Sequence, residues 1–175
     1  MKNIVIAFCF IVFLGVAQAQ SINETVLYLL IGIDEQQAVI ETGQLKSIAN
    51  KSPDGSNIEI ETYSSNQKAA EGGYKFLDID NCKIAGEVSS HDLRSGEGGS
   101  FEFVLNMDKA RSIDFDVNGF TVILGATYEC KNVVGNLCEY VNRIGYIPFV
   151  NFGDKERVKL AFSYYREAFC SGSAF

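Results

Sequence analysis

The segment Ser112-Ile-Asp-Phe-Asp-Val-Asn-Gly-Phe-Thr-Val-Ile-Leu-Gly-Ala-Thr-Tyr128 alternates apolar and polar residues on both sides of Asn118-Gly119. Asn and Gly both tolerate positive φ, as a two-residue type I′ turn demands. The segment therefore predicts an antiparallel hairpin with Ile113, Phe115 and Val117 opposite Leu124, Val122 and Phe120. Similar period-two patterns at 45–49, 57–63, 74–79, 82–88, 101–107 and 146–150 join the arms 112–117 and 120–128 as candidate strands. Pro53-Asp54-Gly55 reads as a turn, and Ser95-Gly-Glu-Gly-Gly-Ser100 as a loop too rich in glycine for helix or strand. Pro148 has no N–H to give, which places its strand on an edge or at a bulge.

Two helices bracket this β-rich middle. Ser21-Ile-Asn-Glu24 is a capping-box pattern that starts a helix running to about Asp34. Ile22, Val26, Leu29, Leu30 and Ile33 share one face, but Leu27 and Ile31 are apolar too, so the helix must pack on more than one side or face lipid or a partner. At the other end Asp154 caps a helix from about Lys155 to Cys170, stopped near Gly172. Val158, Ala161, Phe162, Tyr165, Ala168 and Phe169 form its apolar stripe.

The order of elements predicts an α+β domain that is mainly antiparallel β, seven or eight strands in a small barrel or strongly curved sheet closed by the terminal helix. It is similar to pleckstrin-homology-like and lipocalin-like barrels, although the lipocalin Gly-x-Trp signature is absent and the chain has no Trp. The ending Tyr164-Tyr-Arg-Glu-Ala-Phe-Cys-Ser-Gly-Ser-Ala-Phe175 resembles the tails of small uncharacterised exported bacterial proteins, a likeness that implies no function.

Lys2, the apolar run Ile4 to Val16 and the small residues of Ala17-Gln18-Ala19 read as a signal peptide, residues 1–19, with a single globular domain over 20–175. A run of 13 residues is too short for a membrane anchor, and Cys9 behind Phe8 fits a lipoprotein site poorly. Losing Lys2 leaves 14 basic against 22 acidic side chains, a formal −8. That balance, with no basic cluster, argues against nucleic acid, and no later segment has the length of a transmembrane helix. Cys82, Cys130, Cys138 and Cys170 remain, an even count that in an exported chain reads as two disulfides. Three pairings are open. The short Gly-containing stretch between Cys130 and Cys138 favours joining those two, which leaves Cys82 with Cys170. Zinc is the rival, but the spacing lacks C-x2-C pairs.

Few residues suggest catalysis, and no cofactor is implied. Ser90-His91-Asp92 holds the atoms of a triad, yet neighbours in an extended segment point to alternate sides. Asp114-Phe-Asp116-Val-Asn118-Gly119 matches half of a calcium loop, but its twelfth position is Gly125 instead of a bidentate Glu. Asp78 and Asp80 share a strand face, the raw material of a carboxylate hydrolase. Asn23-Glu-Thr25 and Asn50-Lys-Ser52 fit the N-glycosylation pattern. The sequence thus points to an exported, non-catalytic domain, periplasmic or secreted, that binds a protein or another envelope component. A barrel carrying a small apolar ligand is the alternative, and the hydrolase ranks third.

Overall fold

The computed structural model describes residues 22–80 and 82–170. The signal-peptide reading of 1–19, Ser21 of the capping box and the helix stop near Gly172 lie outside them. Thirteen elements follow in order: α1 (Ile22–Ile31), β1 (Gln37–Thr42), β2 (Leu45–Lys51), β3 (Asn57–Ser64), β4 (Gln67–Asp80), β5 (Lys83–Asp92), β6 (Gly98–Asn106), β7 (Ser112–Phe115), β8 (Phe120–Leu124), β9 (Thr127–Val134), α2 (Leu137–Ile144), β10 (Phe149–Val150) and α3 (Lys155–Phe169). The fold is α+β and mainly antiparallel. Seven strands form one sheet in the order β1-β2-β3-β4-β5-β6-β9, and three form a second in the order β10-β8-β7. The large sheet begins on β1 and ends on β9, and those two edges do not pair with each other.

Strand alternation builds the core. Ile58 on β3, Tyr74 and Phe76 on β4, Ile84 and Val88 on β5, and Phe101, Phe103 and Leu105 on β6 all bury on the inner face of the large sheet. Helix α1, in which every residue from Thr25 to Ile31 is buried, packs on α3 and β10. A helix apolar all round belongs in an interior, and this one is enclosed. Its C-terminal carbonyls need partners there: Thr121 Oγ1 donates to Leu30 O at 3.0 Å, while Asn151 Nδ2 reaches Leu29 O and Leu30 O at 3.3 Å. On its N-terminal side α3 is capped as expected, Asp154 Oδ1 accepting from the N–H groups of Glu156 and Arg157. This helix buries Val158, Phe162 and Tyr165 against α1 and β7, and Ala168 of the predicted stripe stays exposed.

The hairpin expected around Asn118-Gly119 forms, with a different turn. Ile113 lies opposite Ile123 and Phe115 opposite Thr121, one residue off the two-residue register. Gly119 N donates to Asp116 O and Asp116 N to Phe120 O, each at 3.0 Å, so the loop has three residues, with Gly119 at φ 82°. The Asp116 carboxylate selects that loop by accepting from the N–H groups of Asn118 and Phe120, both at 2.8 Å. Val117, assigned to the apolar face by the shorter turn, is 100% exposed at the tip. The type I′ pattern occurs instead at Ser65-Asn66, φ 49° and 66°, between β3 and β4.

Other departures are local. The predicted strand 120–128 breaks at Gly125, φ 87°, and its continuation β9 crosses to the large sheet. Strand β1 and helix α2 were not anticipated, β4 starts at Gln67, and only Phe149–Val150 of the segment 146–150 is strand. Gly98, Gly99 and Ser100 are not loop but the start of β6, opposite His91, Ser90 and Ser89.

Candidate functional site

Inner-face side chains shrink toward one end of the large sheet. One cross-strand row reads Ile60, Gly72, Ser90, Gly99 from β3 to β6, and Thr62 and Ala70 lie beyond it. Gly72 is required by a close approach, because a Cβ there would meet the carbonyl oxygen of Ser89. The row nearer the core, Ile58, Tyr74, Val88 and Phe101, is buried. Between them the face is left uncovered as a cleft of about 270 Å³. Phe120 of β8, Leu137 and Tyr140 of α2, and Pro148 and Val150 at β10 line it together with this floor.

Tyr74 fixes one wall. Its hydroxyl donates to Pro148 O and accepts from Val150 N, both at 3.0 Å, and its ring centroid lies 5.4 Å from that of Phe149. Burial pushes this phenol up to about 12. A second tie links the segment before Pro148 to the hairpin that carries Phe120: Tyr146 OH donates to Asp116 Oδ2 at 2.6 Å. That bond to a carboxylate, reinforced by burial, raises the Tyr146 phenol to about 12. Burial alone would raise Asp116, but the hydrogen bonds from Tyr146, Phe120 N and Asn118 outweigh it and hold the carboxyl below its usual range.

The third support is covalent. Disulfides join Cys130 to Cys138, with Cα atoms 5.7 Å apart, and Cys82 to Cys170, at 5.1 Å. The first anchors the start of α2 to β9, assisted by Cys138 N donating to Asn132 Oδ1 at 2.8 Å. Two disulfides fit an oxidising environment. Among the described residues no helix is long and apolar enough to cross a membrane.

The residues nominated by sequence motifs fall elsewhere or take structural roles. Ser90 lines the cleft, whereas His91 lies on the opposite face against Gly98. The Asp92 carboxylate caps the following turn, accepting from Arg94 N at 2.8 Å and Ser95 N at 3.2 Å, which also depresses its pKa. Ser90, His91 and Asp92 therefore do not converge. Asp116 serves the hairpin turn, and Asp114 Oδ1 accepts from Phe115 N at 2.8 Å. Among the described residues no group of three or more His, Cys, Asp or Glu could hold a metal. Asp78 and Asp80 do share the outer face of β4, at the end away from the cleft. Asn23 is exposed on α1 while Thr25 is buried, and Asn50 Oδ1 accepts from Gln37 Nε2 at 2.7 Å.

Sequence reading missed the cleft because its lining comes from seven elements. The signal available was the clustering of Gly72-Gly73, Ser89-Ser90 and Gly98-Gly99, small pairs that strand pairing brings side by side. The chain matches no protein-family model, and no curated protein or solved structure matches it.

Proposed function

We propose that this is an exported, non-catalytic binding domain that accepts one bulky apolar side chain of a protein or envelope partner in the cleft. The cleft itself carries the reading: it is apolar, open, and at about 270 Å³ smaller than the ~300–1,000 Å³ sites that enclose drug-sized ligands. It exceeds the ~150 Å³ that holds a benzene-sized group, so an aromatic anchor fits and a fatty acyl chain does not. Deeper in the core Phe101, Phe103, Phe149 and Tyr165 are packed with at most 2% exposure, which supports a filled interior beneath the cleft. His91 and the paired Asp78 and Asp80 face away from the cleft.

Titration with indole, followed by two-dimensional NMR, tests the assignment. Shifts confined to Ala70, Val88, Tyr140 and their neighbours are expected, with weak, roughly millimolar affinity for so small a fragment. Ser90→Leu, which fills the floor from an exposed position, should abolish them without lowering the thermal midpoint. Shifts scattered over the surface, or unchanged in Ser90→Leu, would contradict the assignment.

A further inference from the structure

The two edges of the large sheet are not alike. Strand β9 has a register shift against β6, carries Glu129 and Lys131, and is bridged to α2 through Cys130. Those are the devices that keep an edge from pairing with another chain. Strand β1, Gln37-Ala-Val-Ile-Glu-Thr42, has one charged residue, no proline and an unbroken register with β2. Among the described residues its only extensive neighbour is β2.

Its hydrogen-bonding phase is fixed. Lys51 N donates to Gln36 O at 2.8 Å, so residues 36, 38, 40 and 42 bond to β2. The N–H and C=O groups of Gln37, Val39 and Glu41 therefore point away from the sheet. From this we infer that β1 pairs antiparallel with β1 of a second copy of this chain, about a two-fold axis at Val39. That register sets Val39 opposite Val39 of the other copy, Gln37 opposite Glu41, and Ala38 opposite Ile40, so each face carries apolar contact and the carboxylate meets an amide. The register with Glu41 opposite Glu41 sets like charges together and pairs fewer residues. Three narrow pairs form, each exchanging two backbone hydrogen bonds, and the sheet continues across the axis. A strand pair this short is small beside stable interfaces of about 1,200–2,000 Å², so the dimer is reversible.

Sedimentation equilibrium on the purified protein between about 10 μM and about 1 mM tests this. A monomer–dimer equilibrium is expected, together with slowed hydrogen exchange at the amides of Gln37, Val39 and Glu41 as concentration rises. Val39→Pro removes only an outward N–H and should weaken the dimer about tenfold or more. Gln37→Lys places a cation opposite Glu41 and should tighten it several-fold at low salt, a gain that added salt erases. A monomer throughout the range, including one whose β1 amides are already protected by its own chain, overturns the inference. So does a dimer indifferent to both substitutions.

Discussion

At Gly119 the backbone conformation and the open space around it make separate demands. A Cβ built there has no neighbour within 4 Å, so substitution costs nothing in crowding. The cost lies in φ, 82°, which a β-branched residue strongly resists. Gly119→Val should lower stability by more than about 1 kcal/mol and Gly119→Ala by less, measured by urea denaturation. Equal stability of Gly119→Val and wild type would remove the turn. Asp116 beside it was legible as a polar-face residue but not as the group that sets the register, because side-chain capping leaves no mark in an alternation pattern. The phenols of Tyr74 and Tyr146, held at about 12, make stability sensitive to alkali. Unfolding returns both groups to an ordinary value near 10, so their contribution is complete below about pH 10 and drains away as pH rises toward 12. Asp116 acts in the opposite direction, contributing above the ordinary Asp value of about 3.9 and fading as acid protonates it. Denaturation midpoints measured against pH should fall above about pH 10, and Tyr146→Phe should shrink that fall. A flat alkaline limb would contradict the buried hydrogen bonds.

Elements with a strong local signature were readable: the β3 to β6 strands, the capped α3 and the all-apolar α1. Where tertiary context ruled, the reading slipped. Leu124, Ala126 and Tyr128 continue the alternation and hide a change of sheet at Gly125, since periodicity records which residues bury and not against what. Helix α2 has no counterpart among the sequence-based expectations, although Cys138, Val141 and Ile144 at i, i+3 and i+6, followed by Gly145 at φ 84°, carry its pattern and its stop. Its eight residues bury only Cys138 and Val141, so the bond from Cys130 matters for holding Leu137 and Tyr140 against the cleft. Closing a loop of sequence separation 8 stabilises by about 2–3 kcal/mol on the chain-entropy model. Replacing Cys130 and Cys138 together by Ser should cost about that much, and hydrogen exchange should show the α2 amides losing protection before those of α3. Unchanged α2 protection would mean that packing alone secures the helix.

For the molecule as a whole, the α+β class followed from the order of elements, whereas the candidate site did not. It arises where β3 to β6, α2 and the β8–β10 segment converge, and only strand register brings the small residues of three strands into one row. The same register leaves β1 and β9 unpaired with each other and the deeper face filled with aromatic rings, so among the described residues this face presents a half-covered apolar cleft. A cleft as against an enclosed chamber separates a domain that seizes a partner's side chain from one that carries a free lipid. Titration of the protein with a hydrophobic fluorophore, followed by competition with a long-chain fatty acid, decides between them most directly. A filled interior with a shallow cleft predicts no stoichiometric, displaceable site, only weak uptake abolished by Ser90→Leu. One fatty acid bound per chain at micromolar affinity or tighter, with full displacement of the fluorophore, would contradict the account.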